Sequence, residues 1–204
     1  MGRFPHAAHR TRLSFWAMNS LPSPEPRGSG VGGGRAVVTP FSGTAVSLRA
    51  VPDPVFAMGT MGYGVAVIPD PDVEMVRVTA PITGIITRVQ PHLYVIQAVP
   101  PESTTRRILS GWRRFAEASD HPSVVVSVGV DTARLGGVGY DLHVGEGQLV
   151  RRGEALCSFA PRELSRLGFD TITSVVGLQL TADEVELRVM EGEPVLAGDC
   201  LFLL

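Results

Sequence analysis

Residues 124–132, VVVSVGVDT, place one hydroxyl in an otherwise apolar predicted strand. Alternation along a strand separates its side chains into two sets, with Val124, Val126, Val128 and Val130 on one face and Val125, Ser127 and Gly129 on the other. A buried serine that hydrogen-bonds to backbone is one interpretation of this pattern. The alternative is that the second face lines a site, where Ser127 occupies the position of a reacting side chain.

An imidazole is the second group that could take part in chemistry. His92, in PHLYVI (91–96), directly precedes a predicted apolar strand. A base beside a hydroxyl can activate it, so a Ser127–His92 pair would suit a hydrolase. The G-x-S-x-G pattern of a nucleophile elbow does not surround Ser127, which argues against that chemistry. His121 and His143 lie elsewhere in the sequence and do not share the strand position of Ser127.

Composition excludes several other functions. All 18 basic residues are arginine, so Schiff-base chemistry and a lysyl-linked prosthetic group are excluded. The net charge of −2 gives no reason to expect a nucleic-acid partner. Cys157 and Cys200 lack metal-ligand spacing and are predicted to be free, buried thiols, so we expect neither a metal nor a cofactor. No apolar run is long enough to span a bilayer, which predicts no direct membrane insertion.

The pattern of residue types along the chain divides it into a leader and one domain. Residues 1–35 are predicted to be a disordered leader, rich in Ser, Pro and Gly from residue 19, with a possible true start at Met18. Residues 36–204 consist of short, valine-rich runs separated by Gly, Pro and Asp, which is typical of an all-β fold. Two helices are predicted within it, a short one in 161–169 and an amphipathic one with four arginines in 103–122.

A repeated pattern refines the fold prediction. Residues 144–156 follow V-x-x-G-x-x-V-x-x-G-x-x-L, and a weaker copy lies in 189–204 with Gly192, Val195, Gly198 and Leu201 in the same relation. Each copy predicts two short strands around tight glycine turns, paired as a hairpin. Such an internal duplication predicts a barrel-sandwich hybrid fold, with one amphipathic helix inserted.

Several ordered motifs resemble those of the glucose-type enzyme IIA domain of the bacterial phosphoenolpyruvate-dependent sugar phosphotransferase system. They are SGTAVSLRAVPDPVFAMGTMGYGVAVIP (42–69), TAPITGIITRV (79–89) and VGVDTARLGGVGY (128–140), followed by EGQLVRRGEAL. The resemblance covers nearly all of residues 36–204. It implies a cytoplasmic domain that takes a phosphoryl group from the phosphocarrier HPr and passes it to a IIB domain or sugar permease.

The resemblance also assigns residues to a site. Gly129 and Asp131 belong to the family's G-I-D-T segment, whose phosphoacceptor histidine lies two residues before the glycine, and this position is Ser127. His92 matches the family's second histidine. Phe56, in the D-P-V-F-A segment, is either part of an apolar docking face or a core residue. The family is shorter between His92 and Ser127, so residues 98–122 are an insertion that we place beside the site.

The implied function is therefore that of an enzyme IIA-like domain which has lost its phosphoacceptor. A serine phosphoester would be a poor phosphoryl donor compared with a phosphohistidine. We expect a binding or regulatory domain that does not accept phosphate. The alternative is an active phosphocarrier that uses a different acceptor residue.

Overall fold

The structure is a computed structural model and describes residues 35–99 and 121–204. Its strands are β1 (Ala36–Val38), β2 (Gly43–Ser47), β3 (Gly62–Pro69), β4 (Val76–Thr79), β5 (Gly84–Gln90), β6 (Leu93–Ala98), β7 (Ser123–Val128), β8 (Tyr140–Leu142), β9 (Leu149–Val150), β10 (Ala155–Phe159), β11 (Thr173–Leu178), β12 (Glu186–Leu187), β13 (Pro194–Val195) and β14 (Cys200–Leu203). Two short α-helices, α1 (Pro54–Ala57) and α2 (Pro161–Arg166), and 3-10 turns at Leu48–Ala50, Thr132–Leu135 and Ala182–Glu184 complete the described elements.

The strands of the described residues form three antiparallel sheets, which confirms the all-β prediction. One sheet has eight strands in the order β13-β2-β3-β11-β7-β6-β5-β9. The other two have three strands each, in the orders β1-β14-β12 and β4-β10-β8. Strand β7, which carries Ser127, lies inside the large sheet between β11 and β6, so both of its edges are paired.

Both faces of the eight-stranded sheet are packed. The larger apolar cluster contains Val124, Val126 and Val128 of β7 together with the buried rings of Tyr94, Phe159 and Phe202. A second, smaller cluster covers the other face of the sheet, where Leu48, Val51 and Phe56 pack with Ala66, Val125, Ile172 and Val176. The predicted division of β7 into two faces is therefore confirmed for residues 124–128.

The sequence prediction extends this strand too far. Strand β7 ends at Val128, because Gly129 has φ +73° and turns the chain. Val130 consequently packs against the second cluster, and not with Val124, Val126 and Val128 as strict alternation predicts. A glycine in the left-handed region ends the period-2 pattern at this point.

The two copies of the glycine pattern adopt matching turns. Gly147 and Gly153 in the first copy and Gly192 and Gly198 in the second all have φ between +81° and +94°. The predicted hairpins are nevertheless wrong, since β9 pairs with β5 while β10 pairs with β4 and β8. Likewise, β13 pairs with β2 and β14 with β1 and β12. Each copy thus links two sheets, which is how a duplicated hybrid fold is assembled.

Some of the remaining helix and boundary predictions fall within the described ranges, and others fall outside them. The short helix predicted within 161–169 is confirmed as α2. The leader prediction and the amphipathic helix in 103–122 fall on residues outside the described ranges, apart from Arg35, His121 and Pro122. Arg35 belongs with the domain, because its backbone N–H and C=O both bond to Leu204.

The described ends of the insertion do not lie beside Ser127, and the placement of its remaining residues, which fall outside the described ranges, stays a prediction. Ser127 is opposite Leu93, at the first residue of β6. The insertion leaves at the other end of that strand, where the Ala98 N–H donates to the Pro122 carbonyl oxygen at 3.0 Å. Five residues of antiparallel strand, about 17 Å, separate Leu93 from Ala98.

Candidate functional site

Ser127 belongs to a row of side chains that crosses five strands. The register of the eight-stranded sheet aligns, in order across it, Val46, Ala66, Ser174, Ser127 and Leu93. Ser127 is 7% exposed and Ser174 only 2%. The row is therefore apolar at both ends, and it carries small residues and two hydroxyls at its centre.

The surface around this row is apolar and partly open. Six side chains pack against the second cluster without being fully buried, namely Val46, Met61, Leu93, Val95, Val130 and Leu178. We call these six residues the Ser127 face. An open apolar surface of this kind is typical of a protein–protein contact. Phe56 is only 6% exposed and packs beneath it, so its burial favours the core role over direct docking.

The turn that follows β7 is fixed by its backbone and by two hydroxyls. A Cβ on Gly129 would lie 2.7 Å from Thr132 Cγ2 and 2.9 Å from the Asp170 carbonyl oxygen, so glycine is required here. Asp131 also has a positive φ, +58°, and its exposed carboxylate is 3.9 Å from the Arg134 guanidinium. Such an exposed ion pair adds little stability.

Val128 connects this turn to His92. Its N–H donates to the His92 carbonyl oxygen at 2.7 Å. Its carbonyl oxygen accepts from both Thr132 Oγ1 and Tyr140 Oη, each at 3.0 Å. These three hydrogen bonds hold the backbone of residue 127 beside that of His92, so the structure brings together the two residues that the sequence singles out.

His92 itself lies at the tip of a tight hairpin. Gln90 of β5 pairs with Leu93 of β6, which leaves Pro91 and His92 as the two connecting residues. The Pro91 carbonyl oxygen accepts from Tyr94 Oη at 2.9 Å. His92 is partly buried, and this burial lowers the pKa of its imidazole from the ordinary value. Burial therefore favours the neutral form of this imidazole.

We predict that His92 makes stability dependent on pH. Because its pKa is lower in the folded chain than in the unfolded one, the unfolded chain binds more protons as the solution is acidified. The contribution of His92 to the free energy of unfolding is fully present above the pKa of the unfolded chain, about 6.5. It is lost as pH falls through the lower pKa of the folded chain. Urea unfolding from pH 7.5 to 5 should show a shallower loss of stability in His92→Gln than in the wild-type chain. An unchanged slope would contradict burial of this imidazole.

The other histidines of the described residues, His121 and His143, and the two cysteines lie away from the row. His143 Nε2 is 2.9 Å from Ser158 Oγ, on an exposed part of the β8–β10 pair. His121 directly precedes β7 at its other end, where the insertion returns. Both cysteines are free, as predicted, but only Cys157 is buried; Cys200 is partly exposed. Burial raises the pKa of the Cys157 thiol to about 11.

Metal and membrane sites are not found in the described ranges. Within residues 35–99 and 121–204, no three His, Cys, Asp or Glu side chains gather as a metal site. Nor does any helix of those ranges have the length and apolar character needed to cross a membrane. A groove of about 450 Å³ lies between the 46–49 and 56–59 segments and residues 187–191, at the β2 side of the large sheet. Ser127 and His92 do not line it.

Ser174 and Tyr140 are site residues that sequence reasoning misses. Ser174 joins the row only because β11 pairs with β7, and that pairing cannot be inferred from either segment alone. Alternation in TSVVGL (173–178) places Ser174 and Val176 on one face of the strand. That alternation is the sequence signal from which the orientation of Ser174 could have been inferred. Tyr140 reaches Val128 across 12 residues of sequence, and its local pattern gives no indication of that bond.

The fold and the site positions together indicate a domain of the enzyme IIA class: a duplicated hybrid β fold, an apolar face around Ser127, and His92 at the adjoining hairpin. The family model for the phosphoenolpyruvate-dependent sugar phosphotransferase system, EIIA 1, matches residues 35–103 and 114–201. The chain belongs to this family. The resemblance and the fold class inferred from the sequence are thereby confirmed.

Individual relatives agree with this assignment. The PTS system glucose-specific EIIA component of Oceanobacillus iheyensis is 29% identical over 163 residues, which cover 80% of this chain and 85% of that protein. The corresponding component of Bacillus cereus is 30% identical, over 69% of this chain and 72% of that protein. The glucose-specific EIIBCA component of Corynebacterium glutamicum is 31% identical over 69% of this chain, but the match spans only 18% of that longer protein.

A solved structure shares the fold. The glucose permease IIA of Mycoplasma capricolum superposes with a TM-score of 0.65 over 84% of this chain and 96% of that one, at 20% identity. The likeness at this identity concerns the fold, and the family assignment rests on the sequence matches. The chain is thus a glucose-type EIIA domain of the sugar phosphotransferase system.

Proposed function

We propose that this EIIA domain docks the phosphocarrier HPr on the Ser127 face and does not accept its phosphoryl group. The observation that carries the proposal is the side chain of residue 127, a nine-tenths buried serine at the centre of the cross-strand row. By resemblance to the family, whose acceptor histidine lies two residues before the glycine of its G-I-D-T segment, residue 127 corresponds to the acceptor position. The domain would then act by binding, as a regulatory member of the system.

The chemistry of the two side chains supports the loss of transfer. A neutral imidazole is a nucleophile near pH 7, and the phosphoramidate that it forms keeps a high transfer potential. A serine hydroxyl needs an adjacent base to react, and its phosphoester would not pass the group on to a cysteine or histidine. Ser127 therefore lacks the property that a phosphoryl relay requires.

The docking surface is supported by what surrounds Ser127. The six apolar side chains of the Ser127 face stay partly open although the rest of the second cluster is buried. Val138, on the loop that follows the β7 turn, is an apolar side chain that is 69% exposed. Gly137 of that loop packs close to Pro91, next to His92, since a Cβ there would be 3.1 Å from Pro91 Cγ. A rigid, apolar surface with a recessed centre suits a folded protein partner.

Further partners follow from the names of the relatives. The Corynebacterium EIIBCA and the Bacillus subtilis EIICBA components carry their EIIA region in one chain with B and C components. We propose that this chain likewise contacts a IIB domain or sugar permease, on the cytoplasmic side of the membrane. Gly129 and Asp131 would contribute the rigid, exposed turn at the edge of the contact.

Binding to HPr is the direct test. We expect the purified chain to retain HPr in a pull-down, and labelled phosphoenolpyruvate with enzyme I and HPr to leave no acid-labile phosphate on the chain. Val95→Glu, on the Ser127 face, should weaken HPr binding at least about tenfold, because it places a charge in an apolar contact. The affinity can be measured by titration calorimetry.

A matched substitution on another sheet is the control. Leu142 of β8 is 39% exposed and does not belong to the Ser127 face, so Leu142→Glu should bind HPr like the wild-type chain. Absence of HPr binding by the folded wild-type chain would refute the docking role. Acid-labile phosphate on the wild-type chain would refute the lost transfer and favour a phosphocarrier with another acceptor.

A further inference from the structure

Both peptide groups that flank the Cα of His92 are hydrogen-bonded. On the N-terminal side, the Pro91 carbonyl oxygen accepts from Tyr94 Oη at 2.9 Å. On the C-terminal side, the carbonyl oxygen of His92 accepts from the Val128 N–H at 2.7 Å. Because peptide groups are planar, fixing the two planes fixes the backbone dihedrals between them and the direction of the Cα–Cβ bond. These two hydrogen bonds therefore set the direction in which His92 extends from the hairpin.

The Tyr94 hydroxyl reaches this hairpin from inside the larger core cluster. The side chain of Tyr94 is fully buried, and the buried Cys157 belongs to the same cluster. Burial, the larger effect, and the neighbouring Cys157 raise the pKa of the Tyr94 phenol, so the hydroxyl keeps its proton. A buried hydroxyl needs a hydrogen-bond partner, and the Pro91 carbonyl oxygen supplies it.

The hairpin is also held from the loop that precedes β8. Gly137 of this loop lies so close to Pro91 that an added Cβ would be 3.1 Å from Pro91 Cγ. The Tyr140 N–H donates to the Gly137 carbonyl oxygen at 3.2 Å, and Tyr140 Oη donates to that of Val128 at 3.0 Å. The hairpin tip, this loop and the end of β7 thus form one closed set of contacts.

We propose that Tyr94 is a positioning residue for His92, whose imidazole it holds in a single direction through the Pro91 carbonyl group. Gly137 completes this support, because it occupies the space into which the Pro91 ring would otherwise move. Leu93, the next residue, belongs to the Ser127 face, so the same support holds one edge of that face. The part of this inference that concerns HPr rests on the docking function proposed above, whereas the orientation of His92 does not.

Nuclear magnetic resonance of the His92 side chain tests the positioning role. The wild-type chain should show one χ1 rotamer of His92 in its three-bond couplings. Tyr94→Phe keeps the ring in the core and removes only the hydroxyl, so the rotamer ratio should shift by about fivefold, as the loss of one neutral hydrogen bond predicts. A loss of stability without a positioning role would not change these couplings.

Tyr140→Phe is the matched control for the lost hydroxyl. It removes the Tyr140 bond to the Val128 carbonyl oxygen, which still accepts from Thr132 Oγ1. The bond from Tyr94 to Pro91 is untouched. The couplings of His92 in Tyr140→Phe should therefore equal those of the wild-type chain.

A second pair of variants approaches the hairpin from its other side. Gly137→Ala displaces the Pro91 ring, so the couplings of His92 should change although the Tyr94 hydroxyl is intact. Gly136 also has a positive φ, +58°, and no atom of the described residues lies within 4 Å of a Cβ added there. Gly136→Ala should therefore leave the couplings of His92 unchanged.

HPr binding separates this inference from the docking function. The affinity of Tyr94→Phe for HPr should fall about threefold, because Leu93 follows the loosened His92 into the Ser127 face. A single, unchanged rotamer of His92 in folded Tyr94→Phe would overturn the positioning role, whatever its affinity for HPr. A wild-type chain that has one rotamer of His92 and does not bind HPr would refute the docking function alone.

Discussion

A Ser127→His variant is expected to become phosphorylated from phosphoenolpyruvate through enzyme I and HPr, whereas the wild-type chain stays unlabelled. The reason is that the backbone of residue 127 is still fixed next to His92, through the Val128 N–H bond to the His92 carbonyl oxygen. Thr132 and Tyr140 hold the Val128 carbonyl oxygen from the other side. The substitution therefore supplies an imidazole at a position whose surrounding backbone hydrogen bonds are already in place.

The neighbourhood of residue 127 also has room for the larger ring. Its two lateral neighbours in the row are Ser174 and Leu93, of which Ser174 is small and Leu93 is partly open. An imidazole at 127 extends from the sheet towards the open Ser127 face and does not enter the larger core cluster. We expect labelling to rise from background to about one phosphate per chain, with the acid lability of a phosphoramidate.

Two further variants make this result specific. Ser165→His places an imidazole on the exposed surface of α2 and should stay unlabelled. Ser127→His combined with Tyr140→Phe should be labelled more slowly, because one of the two donors to the Val128 carbonyl oxygen is lost. A folded Ser127→His chain that binds HPr and yet takes up no phosphate would show that the site has lost more than its acceptor.

The sequence predicts the faces of β7 and the positions of the glycine turns because both depend on local rules. Valine alternation places Val124, Val126 and Val128 in the larger cluster, and glycines with positive φ recur in both copies of the repeat. Pairing between distant strands is not local. The sequence analysis therefore misses Ser174, which reaches the row only through the β7–β11 register, and assigns β9 and β10 to a hairpin that does not form.

The same limit applies to the two ends of the insertion. Sequence distance suggests that any segment between His92 and Ser127 lies near both residues. Strands β6 and β7 run antiparallel, however. Ala98, the last residue of β6, therefore lies at the opposite end of the strand pair from His92. The position of residue 127 in the family's motif can be inferred from the sequence because the G-V-D-T segment begins two residues later. Its cross-strand neighbour Ser174 can be identified only from the structure.

A Gly64→Ala variant is expected to lose about 3 kcal/mol or more of unfolding free energy, as forced overlap in a packed interior does. Gly64 lies in β3, which is paired on both edges, and an added Cβ would overlap the Val175 carbonyl oxygen and lie 2.8 Å from Val176 Cα. The obstacle is backbone of β11, so no side chain can rotate away to relieve it. Strand β11 must therefore move. Ser174, which lies two residues before Val176 in that strand, moves with it.

Gly192→Ala provides the matched comparison. Gly192 has φ +83° in a turn, and no atom of the described residues lies within 4 Å of the added Cβ. The left-handed conformation therefore opposes the substitution, at about 1 kcal/mol. Urea unfolding of both variants measures the two effects side by side. Gly64→Ala should also lose affinity for HPr because the centre of the Ser127 face is displaced, while Gly192→Ala should bind normally. Equal stability of the two variants would contradict the close approach of β3 and β11 on which the position of Ser174 depends.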